Sequence, residues 1–344
     1  MLVPMLDLFV KSVTWEAEGV HSYDLRAPDL SPLPPASAGA HIDLVLPQGL
    51  TRSYSLLNAP GETHRYWVAV QKDPQSRGGS SWIHQQLKVG DRVQVQAPRN
   101  HFALVEGQAP VVLIAGGIGV TPLVAMAAQL NQRQTPWVMH YSARTRARAA
   151  FIDHLQNLQA ASGGLGQLHL NFDQEPGGKM LDLAAIVNAA PADAHFYACG
   201  PAPMLAAYQA AASQRPAEQV HWEHFSAAPA APPAGGFQVH LARSARSFTV
   251  APGASILDTL LDNGVSVSYS CMEGVCGACE TRVISGEVDH KDLILTPNEQ
   301  AQNKTMMICC SGCKGAELTL DLQTAGAPPA APALQATGNG KAVL

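Results

Sequence analysis

Six of the seven cysteines fall between Cys271 and Cys313, and their spacing carries the first chemical signal. Cys271-x4-Cys276-x2-Cys279 is followed, after 29 residues, by Cys309. This is the plant-type spacing for four thiolates around a [2Fe–2S] cluster. Two irons and two sulfides form a compact unit, so the thiolates must converge from one wrapping loop and one distant strand end. Gly274 and Gly277 permit tight curvature in that loop and a close approach of backbone N–H groups to the sulfurs. A zinc site from Cys276-x2-Cys279 and Cys310-x2-Cys313 is the competing assignment, but its 30-residue gap is long for paired zinc ligands. Cys310 competes with Cys309 for the fourth position, and the spacing favours Cys309.

A second signal is Val111-Val-Leu-Ile-Ala-Gly-Gly-Ile-Gly-Val-Thr-Pro122, a buried-strand run, a glycine loop and a helix start. Gly116, Gly117 and Gly119 would let the backbone approach a pyrophosphate. Thr121 reads as the helix N-cap and Pro122 as its first residue, which leaves free N–H groups for phosphate. Tyr197-Ala-Cys-Gly-Pro201 reads as a second strand end opening onto a helix. Both loops would lie at the carboxyl edge of one parallel sheet, where such folds bind ligands. That place, before Gly200 and Pro201, argues against a purely structural thiol at Cys199. In Thr51-Arg-Ser-Tyr-Ser-Leu56, strand alternation puts Arg52 and Tyr54 on one face and Ser53 and Ser55 on the other. Arg52 could hold a phosphate and Tyr54 could pack on a flavin. An ordinary surface strand fits this motif about equally well. Arg77-Gly-Gly-Ser-Ser81 offers a small-residue phosphate nest.

These motifs need a scaffold of several domains, and 344 residues are enough for two or three. Residues 1–104 carry short apolar runs between Pro and Gly turns, as in a small antiparallel β-barrel. Residues 105–226 alternate strand and helix, implying an α/β domain with a parallel sheet. Residues 237–322 read as a small α+β domain: a hairpin over 237–250, a helix over 255–263, the cysteine loop and a closing strand over 317–322. A Pro/Ala/Gly-rich linker spans 227–236, and a tail of similar texture, 323–344, reads as disordered. No apolar stretch approaches the length of a membrane helix and no secretory signal is evident, so a cytoplasmic protein is expected. The net charge of −5 argues against nucleic acid as a partner. The third domain holds ten acidic and six basic side chains, which would steer it toward a basic partner surface. The 13 histidines show no metal-ligand spacing and are read as structural or surface residues.

Taken in order, Arg52-Ser-Tyr-Ser-Leu56, Arg77-Gly-Gly-Ser80, Gly116 to Pro122, Cys199-Gly-Pro201 and the Cys271 to Cys309 set make the chain resemble the reductase components of Rieske-type aromatic-ring oxygenases. In particular, it resembles the phthalate dioxygenase reductase and vanillate O-demethylase reductase group. The resemblance covers all but the tail. It implies a flavin β-barrel, a nicotinamide α/β domain and a β-grasp plant-type ferredoxin domain. Around the flavin it places Arg52, Ser53, Tyr54, Ser55, Lys72, Gly78, Gly79, Ser80 and Thr121, with Phe225 of His221-Trp-Glu-His-Phe225 closing the site. Arg52 and Ser80 would hold the phosphate. Gly117, Thr121, Cys199, Gly200 and Pro201 would position the nicotinamide. Ser55, Thr121 and Cys199 are the catalytic candidates, and Cys271, Cys276, Cys279 and Cys309 the cluster ligands. The implied cofactors are FMN rather than FAD, a [2Fe–2S] cluster and NADH. The implied activity is a monomeric reductase passing electrons from NADH to a transient Rieske-type oxygenase partner. A P450 or di-iron acceptor, or a silent binding protein on the same scaffold, are the alternatives.

Overall fold

The computed structural model describes residues 4–74, 76, 78–225 and 236–322. The expected linker at 227–235 and tail at 323–344 lie outside the described residues, as does Arg77.

The first sheet comprises β1 (Met5–Ala17), β2 (Val20–Arg26), β3 (His41–Val45), β4 (Thr51–Ser55), β5 (Tyr66–Gln71) and β6 (Arg92–Arg99), with helix α1 (Gly79–Gln86) between the last two. The strands run antiparallel in the order β4-β3-β6-β1-β2-β5. A bridge between Leu56 and Val68 joins the two outer strands and closes the sheet into a barrel. Alternation fills its interior: Leu8 and Val10 from β1, Ile42 and Leu44 from β3, and Val93 and Val95 from β6 are all buried. Helix α1 departs from the all-β expectation. Its Gly-Gly-Ser-Ser start reads as a loop, yet Ile83 is fully buried against the barrel and anchors the helix.

The second sheet is parallel. In chain order it has β7 (Val111–Gly116), α2 (Val120–Arg133), β8 (Trp137–Ala143), α3 (Ile152–Ala161), β9 (Gly166–Phe172), α4 (Leu183–Ala189), β10 (His195–Cys199), α5 (Ala202–Ala211) and β11 (Val220–Glu223). The strand order is β11-β10-β7-β8-β9. Central β7 is buried along its whole length, which explains its unbroken apolar run. The order reverses between β7 and β10, so a crevice opens at their carboxyl ends. This sheet and the barrel share one core: Ala17, Leu57 and Phe102 pack in the same cluster as Leu123, Met126 and Tyr197. The Tyr197 hydroxyl accepts from the Val105 N–H at 2.8 Å across that seam.

The third unit contains β12 (Phe237–Leu241), β13 (Arg246–Val250), α6 (Ile256–Asp262), β14 (Glu280–Ser285), β15 (Val288–Asp289), α7 (Pro297–Gln302), β16 (Thr305–Met307), β17 (Gly312–Cys313) and β18 (Glu317–Asp321). Five strands form a mixed sheet in the order β13-β12-β18-β14-β16, with β12 and β18 parallel. Ser255 caps α6 by accepting from the Asp258 N–H at 2.9 Å. Ile256, Leu257 and Leu260 then bury one helix face on the sheet. Among the described residues, no helix is long and apolar enough to cross a membrane.

Candidate electron-transfer site

On β4 the side chains divide much as alternation requires. Arg52 reaches the start of α1, where a Cβ on Gly79 would lie 2.7 Å from its Nε. A side chain at position 79 would displace the Arg52 side chain. The N-cap Gly78 supplies no side-chain cap to α1. The first-turn amides of this eight-residue helix and the Arg52 guanidinium therefore form one donor set suited to a phosphate monoester. Ser80 lies in the same turn, its hydroxyl accepting from the Asp73 N–H at 3.1 Å. Lys72 is exposed just beyond β5, its N–H bonded to the Gly19 carbonyl at 2.8 Å. Tyr54 packs against the barrel core, and burial pushes its phenol well above its ordinary range. Ser55 is buried at the end of β4.

Ser53, on the other face of the strand, meets the third unit. Its hydroxyl donates to Asp43 Oδ1 at 2.6 Å and lies 2.9 Å from the Ser270 hydroxyl, in the loop that carries Cys271. Asp43 is fully buried and its other oxygen takes an N–H of Arg99 at 2.5 Å. Beside this network His41 is enclosed with neither ring nitrogen partnered, and burial first of all depresses its pKa to about 4.

At the crevice of the parallel sheet the two glycine loops meet backbone to backbone. A Cβ on Gly119 would collide with the Cys199 carbonyl and sit 2.7 Å from the Gly200 N. One on Gly116 would lie 2.7 Å from Pro201 Cδ. These two glycines serve loop-on-loop packing. Gly117, with φ of +54° and nothing within 4 Å of a would-be Cβ, is the one whose face is open. Thr121 is not the N-cap. Helix α2 begins at Val120 after a 3-10 turn over Gly117–Gly119, which puts Thr121 in the first turn and Pro122 after it. The buried Thr121 hydroxyl donates to the Ile118 carbonyl at 3.0 Å.

Cys199 is wholly buried, and desolvation with the nearby Glu223 carboxylate raises its thiol pKa well above normal. What this turn offers the crevice is the Gly200–Pro201 backbone. Glu223 itself escaped the sequence reading. It pairs with Cys199 in the β10–β11 register, its Oε2 is buried without a partner, and burial pushes it up to about 8. The sequence offers no signal that sets Glu223 apart, since its strand also carries His221. Phe225 follows two residues on, exposed at the same sheet edge.

The cysteine loop gathers the predicted thiols. Cys271 contacts both Cys276 and Cys309 through sulfur, and Cys309 also contacts Cys279. Contacts with Cys276 and then Cys309 hold the Cys271 thiol far below its usual range, and the same contacts push the Cys276 and Cys309 thiols up, so the three titrate as one group. The backbone N–H of Glu273 donates to Cys271 Sγ at 3.3 Å, and that of Cys271 to Cys276 Sγ at 3.5 Å. Four thiols joined in a chain of sulfur contacts, two of them with backbone amide donors, fit a two-iron cluster. Cys310 points to the Met307 carbonyl at 3.8 Å while touching Cys309 through sulfur, and Cys313 points to the Glu317 carbonyl at 3.4 Å. Gly274 is needed because a Cβ there would lie 2.5 Å from Cys310 Sγ. Gly277 faces the barrel, where a Cβ would lie 2.7 Å from His101 Nε2.

A closed barrel, a switch-point crevice in a parallel sheet and a four-thiol loop define the flavin and iron–sulfur reductases that use nicotinamide. Comparison with known proteins agrees. Residues 113–210 match the oxidoreductase NAD-binding domain, and residues 239–314 the 2Fe-2S iron-sulfur cluster binding domain. The chain is 52% identical to phenoxybenzoate dioxygenase subunit beta of Ectopseudomonas oleovorans, over 92% of this chain and 97% of that one. It is 40% identical to the vanillate O-demethylase oxidoreductase of Pseudomonas putida, over 92% and 100%. Among solved structures, phthalate dioxygenase reductase superposes with a TM-score of 0.69 at 35% identity, over 92% of this chain and 98% of that one. An intact type IV self-sufficient cytochrome P450 monooxygenase gives 0.83 at 37% identity over 92% of this chain, which spans only 41% of that longer polypeptide. The chain belongs to the family of oxygenase reductase components that includes phthalate dioxygenase reductase and vanillate O-demethylase oxidoreductase.

Proposed function

We propose that this protein is the NADH-dependent reductase of a Rieske-type aromatic-ring oxygenase, using FMN and one [2Fe–2S] cluster. The observation that carries the electron-transfer reading is the adjacency of three sites. The barrel that bears Arg52 shares its core with the nicotinamide sheet and touches the cysteine loop through Ser53 and Ser270. The chemistry the bound groups supply is hydride acceptance by the flavin and one-electron carriage by the cluster. The chain's own work is binding, orientation and exclusion of water.

Arg52 and the first turn of α1 hold the flavin phosphate, with Gly78, Gly79 and Ser80 shaping the turn. A single-phosphate donor set supports FMN. Tyr54 and Ser55 line the ring, with Thr121 and the Cys199 turn opposite and Phe225 closing the edge. Gly117 and the Gly200–Pro201 backbone seat the nicotinamide. Cys271, Cys276, Cys279 and Cys309 ligate the cluster. The units span 1–104, 105–226 and 237–322, and the protein works as a cytoplasmic monomer. Met272, 42% exposed beside the first ligand, supplies an apolar contact for the partner. Redox encounters of this kind are small and short-lived. Reconstitution tests the reading: the purified protein, NADH and a Rieske-type terminal oxygenase should yield hydroxylated aromatic product. Turnover with a P450 or di-iron acceptor and none with any Rieske-type oxygenase would reassign the partner.

A further inference from the structure

Two contacts that join the cysteine loop to the barrel fall toward the two ends of that loop. Ser270, immediately before Cys271, meets Ser53 on β4 at 2.9 Å. Gly277, between Cys276 and Cys279, lies under the His101 ring of the barrel. The direction of the first bond follows from its neighbours. Asp43 is fully buried and, as a carboxylate paired with Arg99, can only accept. The Ser53 hydroxyl proton is therefore committed to Asp43 at 2.6 Å. Ser53 Oγ is left as an acceptor, and Ser270 must donate to it. Arg99, Asp43 and Ser53 thus form a fixed chain that ends on an acceptor aimed at the cysteine loop. A buried carboxylate held at both oxygens has one orientation, so the acceptor does not wander.

We propose that Ser53 and Ser270 form a latch that sets the pose of the ferredoxin unit on the flavin strand. Ser53 is then a positioning residue for electron transfer between the two units, and its role lies outside the flavin site. The inference rests on the reductase reading above. It adds that the register between β4 and the cluster ligands is held by one serine pair, oriented from beneath by Asp43 and Arg99.

The test uses the full-length holoprotein and two readouts. In stopped-flow single turnover with NADH, Ser270→Ala should leave flavin bleaching unchanged. Subsequent cluster reduction should slow about fivefold, the loss expected of one hydrogen bond at about 1.4 kcal/mol per tenfold. Ser270→Thr, which keeps the hydroxyl, should retain the wild-type rate. In a double-mutant cycle the Ser53→Ala/Ser270→Ala protein should be no slower than Ser270→Ala, to within about twofold. Hydrogen exchange provides the second readout. Amides of residues 51–55 should exchange faster in Ser270→Ala, although the substitution lies on the other unit. Should Ser270→Ala fail to load its cluster, Ser53→Ala with exchange read at 270–277 answers the same question. Unchanged cluster reduction, unchanged exchange across the seam, or additive effects in the cycle would each overturn the latch. A wild-type flavin that NADH does not bleach would instead overturn the reductase reading itself.

Discussion

A methyl group added at Gly119 has nowhere to go. The Cβ would stand 2.7 Å from the Gly200 N and closer still to the Cys199 carbonyl, all backbone atoms at the end of β10. Ordinary contact needs roughly 3.4–4 Å between such atoms, so the two crevice loops must part by about 1 Å. Overpacking of this kind costs about 1–3 kcal/mol in adaptable cores. Here neither neighbour is a flexible side-chain end, so the upper part of that range is expected. Gly119 itself has φ of −62°, so the cost comes from contact and not from backbone conformation. Gly117 offers the opposite case: φ is +54° and no atom lies within 4 Å of its would-be Cβ. Gly117→Ala should cost only the left-handed penalty of about 1 kcal/mol. Thermal unfolding should therefore place Gly119→Ala well below Gly117→Ala, by about 4 °C or more for a domain of this size. Because the loops frame the nicotinamide crevice, Gly119→Ala should also raise the KM for NADH while flavin content stays normal. Equal stability of the two variants, or a larger loss in Gly117→Ala, would refute the claim that Gly119 exists for loop packing.

Cys309→Ser should abolish the cluster absorbance, whereas Cys313→Ser should keep it, since Cys313 turns away to the Glu317 carbonyl; a cluster lost in Cys313→Ser would show the ligand assignment to be wrong. NADH should be preferred over NADPH by about tenfold or more in kcat/KM, about 1.4 kcal/mol. The expectation follows from the family reading, and a higher kcat/KM for NADPH would overturn it. Stability should respond to pH from both sides. Burial lowers His140 and His221 to about 4. The unfolded chain therefore binds more protons between about pH 6.5 and 4, and stability falls with acidification through that window. Glu223, raised to about 8, does the reverse. The folded state keeps a proton that the unfolded chain has lost, so stability falls as pH rises from about 4.5 to 8. Glu223→Gln should accordingly melt higher than wild type at pH 8.5 and close to it at pH 5; no gain at pH 8.5 would contradict the buried, unpartnered carboxylate.

Local chemistry was legible where a residue type has few physical uses. Four cysteines at cluster spacing, a glycine loop after an unbroken apolar strand, and a helix over 255–263 each admit few structures, and the structure realises them. Roles that depend on what lies across a seam were hidden. Gly116 and Gly119 looked like ligand-facing residues because glycine permits any close approach, and only the fold shows that the approach is by Pro201 and the Cys199 carbonyl. Alternation placed Ser53 on a face, but not that a second unit meets that face. The histidines are not scattered: His140 stacks on His169 with centroids 4.9 Å apart, and His195 on His221 at 5.6 Å, across neighbouring strands of the parallel sheet. Such pairs are invisible until strand order is known. Helix α1 was missed because its glycine and serine start mimics a turn and its apolar anchors, Ile83 and Leu87, make too short a run to show a helical period.

Anaerobic titration of the purified protein with NADH, followed by absorbance and electron paramagnetic resonance, tests the central claim most directly. The account predicts bleaching of one flavin per chain, then the rhombic signal of one reduced [2Fe–2S] cluster per chain from the same sample. Flavin bands alone with a stoichiometric amount of zinc, or a cluster that stays oxidised while NADH reduces the flavin, would contradict it.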